Sequence, residues 1–433
     1  MKIKVKQASY DEVMARTPGK AKKPKKPNIL FRTLLKVASL PDLIATRFCC
    51  KRTGMKQLGR RESALFLMNH SSFIDLEIAA SILYPRPFNI VCTTDGFVGK
   101  NWLMRQLGCI PTKKFVFDIS LVRSMIYAAH GLHSSILMFP EAGYCLDGTA
   151  VTLPRSLGKC IKLLGIPVVM IRTYGAFSRD PLYNNLQKRR VKVSADMTYL
   201  LSKEQIEQMD PEQINDVLRE QFTFDHFRWQ KENGVRISEP FRADCLNRVL
   251  YRCPHCNTEG QTEGKGTTLT CHACGAVYEL EETGTLRRTD GGEGAFSYVT
   301  DWFAWERECV RRSLLDGSYR LDVAVDIYML IDTKCLWRVG EGRLLHTTDG
   351  FTLDGCDGKL HYEQKPLSSY SLNSDFYWYE LGDVISIGDH KRLYYCFPRD
   401  AGDVVAKTRL AAEELYQLCR RDKATDGKEQ EDD

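Results

Sequence analysis

Short, uninterrupted apolar runs punctuate the first half of this 433-residue chain, at residues 64–68, 135–139 and 166–170. Such runs, bounded by turn residues, read as buried strands. Residues 74–83 are apolar enough for a core helix. Upstream, Leu30, Leu34 and Val37, then Leu40, Leu43 and Ile44, recur at helical spacing. Pro41 separates the two sets, which predicts a pair of short amphipathic helices. In the second half, residues 296–315 look helical, and from about Leu321 the pattern changes to short strands and tight turns. Asp349-Gly350, Asp354-Gly355 and Asp357-Gly358 are hairpin signals. Residues 393–397 are strand-like, and Val404, Ala411, Leu415 and Leu418 mark one face of a last helix. Residues 282–293, with three glycines, read as a linker. Residues 1–27 are polar and rich in Lys-Pro, and residues 421–433 are charged, so both ends are expected to be disordered. No internal repeat is visible.

Charge sharpens this picture. The formal net charge is +6, but residues 1–61 carry 17 Lys+Arg against 3 Asp+Glu, and the remainder is acidic. A basic segment on an acidic protein calls for an anionic partner. Arg32, Lys36 and Arg47 lie among the apolar positions of residues 28–48, which suits helices lying in a lipid interface with cations at the head groups. Ordinary core packing of the same helices is the competing reading. Nucleic acid fits less well, because no aromatic interleaving accompanies the basic residues. No apolar run approaches the ~18 residues of a membrane span, and no apolar segment follows the N-terminal charges as in a secretory signal. The expected location is cytoplasmic, peripheral on the cytosolic face of a membrane.

Sixteen cysteines in such a setting are expected to be reduced. Four form Cys253-Pro-His-Cys256 and Cys271-His-Ala-Cys274, with 14 residues between the pairs. That spacing approximates a zinc ribbon, in which four thiolates complete a closed tetrahedral Zn2+ site. His255 and His272 lie inside the knuckles and are not expected to be ligands. A redox dithiol needs one pair, not two.

The candidate chemistry begins at Asn69-His70-Ser71-Ser72-Phe73-Ile74-Asp75, directly after the first apolar run. A histidine at a strand end with a nearby carboxylate can be a general base with its orienting partner. A five-residue offset puts the two off a common helix face, so a turn through Ser71 and Ser72 must lie between them. Capping by Ser72-x-x-Asp75 is the competing reading. Three further blocks follow in order: Gly108-Cys-Ile-Pro-Thr-Lys113-Lys114, Phe139-Pro-Glu141-Ala142-Gly143, and the apolar segment around Pro167.

Together the four blocks resemble the glycerolipid acyltransferase superfamily, whose members include 1-acylglycerol-3-phosphate acyltransferases. The resemblance covers roughly residues 28–240. It implies that His70 and Asp75 are catalytic, and that Lys113, Lys114, Glu141 and Gly143 bind substrate. Two departures stand out. The third block is typically Phe-Pro-Glu-Gly-Thr-Arg, whereas here Ala142 replaces the glycine and Tyr144 the arginine. Arg155 is near enough in sequence to compensate, with a solvated surface charge as its alternative. The implied activity moves a fatty acyl group from a thioester donor, acyl-CoA or acyl-carrier protein, to the hydroxyl of a lysophospholipid in phospholipid biosynthesis. The alternative is a non-catalytic lipid-binding or scaffolding protein that keeps the fold.

The expected class is α/β, an acyltransferase domain with a mixed sheet flanked by helices, then a zinc ribbon and a small β-rich C-terminal domain. The expected division is a basic arm at 1–27, membrane-associating helices at 28–61, the acyltransferase domain at 62–240, the ribbon at 250–281, a β-rich domain with a C-terminal helix at 296–420 and a tail at 421–433. The β-rich part resembles a pleckstrin-homology-like domain in layout alone.

Overall fold

The computed structural model describes residues 2–17, 22–115, 118–399 and 402–429. They form two compact units, one of Lys20–Pro181 with Leu186–Ile237, the other of Met1–Gly19, Leu182–Asn185 and Ser238–Asp433. In chain order the elements start with β1 (Val5–Gln7) and α1 (Tyr10–Met14), both in the second unit.

The first unit runs α2 (Ile29–Ala45), β2 (Cys49–Thr53), β3 (Leu65–Met68), α3 (Ile74–Leu83), β4 (Phe88–Thr93), α4 (Asn101–Gln106), β5 (Cys109–Thr112), α5 (Ile119–Ile126), β6 (Ser135–Met138), α6 (Ser156–Leu164), β7 (Val168–Tyr174), α7 (Ala176–Arg179), β8 (Ser194–Leu201), α8 (Lys203–Gln208), α9 (Pro211–Phe222) and α10 (His226–Glu232). Its sheet order is β2-β8-β7-β3-β6-β4-β5. Only β7 and β8 pair antiparallel, so the sheet is mixed. β3 is central, and both of its faces are covered. Phe66 and Met68 join a core with Leu43, Ile78 and Val169, while Leu65 and Leu67 join one with Ile136, Ile161 and Leu218. Covered faces explain why these strands read as continuous rather than alternating apolar runs. On one side Gly158 lets α6 meet α9, since a Cβ there would lie 2.0 Å from the Pro211 carbonyl oxygen. The parallel strands β3, β6, β4 and β5 all end at the same sheet edge, where ligands bind in open α/β sheets.

Two expectations for this unit need correcting. The pair of helices at 28–48 is one helix, α2, with Pro41 inside it. Proline removes one helix hydrogen bond at a cost of about 3 kcal/mol. Packing against α3 offsets this, with Leu43 and Ser39 buried and the Ser39 hydroxyl donating to the Leu35 carbonyl at 2.8 Å. Within the 28–61 segment expected to be helical, residues 49–53 are strand β2, paired with β8.

The second unit holds a four-stranded antiparallel meander of β9 (Thr262–Lys265), β10 (Thr268–Cys271), β11 (Val277–Leu280) and β12 (Leu286–Arg288). β12 lies within the expected linker and pairs with β11. Then come α11 (Val299–Leu315), β13 (Leu321–Leu330), β14 (Leu336–Thr347), β15 (Gly350–Gly355), β16 (Leu360–Gln364), β17 (Asn373–Trp378), β18 (Gly382–Gly388), β19 (Leu393–Pro398) and α12 (Val404–Glu429). The larger sheet has order β16-β15-β14-β13-β19-β18-β17, with antiparallel neighbours throughout. Part of the arm expected to be disordered is ordered. β1 adds to β14 in parallel, pairing Val5–Gln7 with Leu336–Arg338, and α1 starts with a Ser9–Glu12 capping box. The arm's residues 1 and 18–21 lie outside the described residues. At the other end α12 runs to Glu429, past the expected start of a disordered tail, and residues 430–433 lie outside the described ones.

Candidate functional site

β3 delivers Asn69 and His70 to the sheet edge, and the turn through Ser71 and Ser72 returns the chain into α3. The turn brings His70 Nδ1 to 3.2 Å from Asp75 Oδ2. That oxygen also accepts the Ser71 amide at 2.7 Å and the Ser72 amide at 3.0 Å. Asp75 is fully buried. Ser72 is not the N-cap expected from sequence. Phe73 takes that position without a side-chain bond, while the Ser72 hydroxyl donates to Asp180 and accepts the Ile74 amide at 3.4 Å. The carboxylate therefore both shapes the turn and holds the imidazole, and fixes which ring nitrogen faces it. His70 Nε2 has no hydrogen-bond partner among the described residues.

The ring lies against Phe139 at 4.3 Å and Tyr144 at 4.1 Å between centroids, and keeps 22% side-chain exposure. Tyr144 thus stands where the resemblance expects an arginine and packs on the imidazole. Its ring also meets the exposed Phe73 at 5.7 Å. Asn69 fixes the end of β3 to β7. Its Oδ1 accepts the Thr173 amide at 2.8 Å and its Nδ2 donates to the Ser71 hydroxyl at 3.2 Å.

Glu141 follows β6 and is buried. One carboxylate oxygen accepts the His70 amide at 2.7 Å and the other the Val151 amide at 3.0 Å. The side chain ties the His70 loop to the segment after the third block. Gly143 has ordinary backbone, and a Cβ there would meet nothing within 4 Å. The left-handed residue is Ala142, with φ 56°. That conformation costs a non-glycine residue roughly 1–2 kcal/mol, which explains why glycine suits the position. Ala142→Gly is expected to raise unfolding stability by about 0.5–1 kcal/mol after the extra flexibility of the unfolded chain is counted. Urea unfolding checks this, and a less stable variant would contradict it.

Lys113 and Lys114 follow β5 and are half-buried. They share the sheet edge with His70, three strand spacings away, or about 14 Å. Arg155 is exposed just before α6, and the structure does not bring it to the other site residues.

Sequence reasoning missed His226, at the start of α10. Its Nε2 lies 3.2 Å from the Ser71 hydroxyl, its ring stacks on Phe177, and Nδ1 is buried without a partner among the described residues. A histidine 155 residues from its partner leaves no local signal. Burial lowers its pKa from 6.5 to about 3. A lowered histidine pKa means that the unfolded chain binds the extra proton between those values. His226 therefore subtracts stability as pH falls below 6.5, by up to about 1.4 kcal/mol per pH unit. His226→Gln is expected to flatten the fall in unfolding midpoint between pH 6.5 and 5 relative to the native chain. Parallel pH profiles would argue against it.

In the second unit, Cys253, Cys256, Cys271 and Cys274 converge, with all four sulfurs within 4.8 Å of one another. Cys253 and Cys274 are 3.7 Å apart, as are Cys256 and Cys271. Tetrahedral zinc with Zn–S of about 2.3 Å needs sulfurs about 3.8 Å apart, so the cluster fits a metal ion. Each knuckle is followed by a left-handed residue, Asn257 at φ 61° and Gly275 at φ 75°. His272 pairs with Glu263 at 2.9 Å instead of joining the cluster.

Residues 49–173 match the family model described as Acyltransferase. Among solved structures, the 1-acyl-sn-glycerophosphate (LPA) acyltransferase PlsC from Thermotoga maritima is similar at 14% identity and a TM-score of 0.32, over 44% of this chain and 78% of that one. No curated protein matches the chain.

Proposed function

From an acyltransferase domain over residues 49–173, we propose that the chain is a membrane-associated O-acyltransferase acting in phospholipid biosynthesis. It transfers a fatty acyl group from acyl-CoA or acyl-carrier protein to the free hydroxyl of a lysophospholipid, 1-acylglycerol-3-phosphate above all, to give phosphatidic acid. The observation that carries this reading is His70, held through Nδ1 by buried Asp75, with no hydrogen-bond partner on Nε2 among the described residues.

In this mechanism neutral His70 takes the acceptor hydroxyl proton at Nε2 as that oxygen attacks the thioester carbonyl. Asp75 stabilises the imidazolium that forms. Collapse of the tetrahedral intermediate breaks the C–S bond, and the departing thiolate recovers the proton from His70. No acyl-enzyme is needed, because the donor is already activated. Phe139 and Tyr144 limit water around the imidazole. Glu141 positions the loop through the His70 amide. Lys113 and Lys114 meet the acceptor phosphate as point charges, and Gly143 leaves room for the acceptor. A panel of lysophospholipid acceptors tests the assignment. Lysophosphatidic acid should be used best, and Lys114→Ala should raise its KM. A preference for acceptors without a phosphomonoester would count against it.

The membrane part of the proposal rests on α2. Ile29, Leu30, Leu34, Val37, Leu40 and Ile44 are exposed on one helix, and exposed Trp102 of α4 packs against Phe31 beside them. This suits a helix lying in the lipid interface on an anionic, cytosolic surface. No helix among the described residues is long and apolar enough to cross a membrane. Leu34→Glu with Val37→Glu is expected to weaken sedimentation with anionic vesicles at least about tenfold, since each buried leucine-sized side chain is worth about 1.5–3 kcal/mol. Undiminished binding would place the contact elsewhere.

The cysteine cluster is proposed to hold a structural Zn2+. Four thiolates close the site, so the ion supplies cross-linking and no chemistry toward substrate.

A further inference from the structure

A chain of charged and hydrogen-bonded groups runs from α2 to the His70 turn. The Ser72 hydroxyl donates to Asp180 Oδ1. Asp180 Oδ2 accepts from Arg179 Nη1 at 2.9 Å, and Arg179 Nη2 donates to Asp42 Oδ2 at 2.5 Å. Lys188 Nζ donates to the same Asp42 at 2.9 and 3.1 Å. Ser72, Arg179 and Asp180 are each at most 3% exposed, whereas Asp42 is reached from the surface. Asp42 lies on α2, directly after Pro41 and within the helix that exposes the apolar face. At the other end, Ser72 also gives its amide to Asp75, the carboxylate that holds His70.

Burial raises the Asp180 carboxyl to about 6, with Arg179 and the Ser72 hydroxyl pulling the other way. A buried group so poorly solvated depends on these two partners to stay charged. Breaking one link of such a buried pair is costly, because the remaining charge is left unmatched. The chain is therefore stiff, and a displacement of Asp42 is felt at Ser72.

We propose that Asp42, Arg179, Asp180 and Ser72 are positioning residues that couple the seating of α2 on a lipid surface to the order of the His70–Asp75 turn. This rests on the membrane reading of α2. When α2 is held in the interface, Asp42 fixes Arg179, Arg179 fixes Asp180, and Asp180 holds the Ser72 hydroxyl while its amide stays on Asp75. Off the membrane α2 moves more freely and the turn loosens with it. The chain thus makes His70 best oriented where the acceptor resides.

Amide hydrogen exchange of the full chain tests this without requiring turnover. The probe is vesicles of phosphatidylcholine with phosphatidylglycerol. In the native chain, vesicles should slow exchange in α2 and, by about tenfold, in residues 69–75. Asp42→Asn and Ser72→Ala break opposite ends of the chain and leave the exposed apolar face intact. In both, α2 should still be protected, while residues 69–75 change by less than about twofold. Where transfer is measurable, both variants should lower kcat without raising acceptor KM. Equal protection of residues 69–75 in native chain and variants would overturn the coupling, as would protection of α2 without any change at 69–75 in the native chain. Absence of α2 protection in the native chain would remove the membrane reading together with the coupling. A failure of acyl transfer alone would leave the exchange result standing and would instead refute the assigned reaction.

Discussion

His70→Ala is expected to lower the rate of acyl transfer by about 10²–10⁴-fold, the usual contribution of a positioned general base. The loss should fall on kcat, because the imidazole acts when the hydroxyl proton moves and holds no part of the acceptor. Folding should survive, since the side chain is partly exposed and the turn is held by other groups. Those groups are Asp75 on the Ser71 and Ser72 amides, Glu141 on the His70 amide, and Asn69 on Thr173. Asp75→Asn should also impair transfer, yet it disturbs the turn as well, because a carboxylate oxygen accepting two amides and an imidazole is replaced by an amide group. His70→Ala is therefore the cleaner variant. A His70→Ala enzyme with native turnover would exclude the histidine as base whatever the acceptor.

The largest effect on stability is expected from the cysteine cluster. Structural zinc sites contribute apparent binding free energies of about 10–16 kcal/mol in small modules, which matches or exceeds the ~5–15 kcal/mol that holds a whole domain folded. Under the proposed zinc assignment, Cys271→Ala should take the metal content from one ion per chain to none and unfold the meander of β9 to β12. The damage should spread to α11, because the segment just ahead of the first knuckle is fastened there. The Arg252 amide donates to buried Glu306 at 2.8 Å, the Trp302 indole donates to the Arg252 carbonyl at 2.8 Å, and Tyr278 packs edge-on against Trp302 at 4.9 Å. His272→Ala should retain the metal, since that side chain pairs with Glu263. Metal quantification combined with limited proteolysis reads both variants. Full zinc retention by Cys271→Ala, or zinc loss from His272→Ala, would mean the ligand set is wrong.

Much of this molecule was legible because its signals are local. β3, β6 and β7 announce themselves as apolar runs since each is covered on both faces, and the His70–Asp75 spacing requires the turn that the structure shows. The cysteine pairs likewise carry their own geometry. What stayed hidden depends on partners far along the chain. Thr173 latches Asn69 from 104 residues away, and Asp180 receives Ser72 from 108. β1 looked like a disordered basic arm because its order comes from β14, more than three hundred residues later, and not from its own composition. Pro41 was misleading for a similar reason. Local propensity ends a helix there, but α3 and the Arg179 ion pair hold α2 together. Ala142 shows the reverse case, in which a departure from a family block marks a strained backbone position.

The most direct test of the proposed reaction is mass spectrometry of the lipid product. Zinc-loaded protein on liposomes would be given lysophosphatidic acid and an isotope-labelled acyl thioester, with His70→Ala in parallel. Labelled phosphatidic acid, formed in step with free thiol and reduced at least ~10²-fold in the variant, is the predicted result. Folded, vesicle-bound protein that forms no labelled phospholipid from any lysophospholipid and either donor would contradict it, and would identify the chain as a lipid-binding relative of acyltransferases.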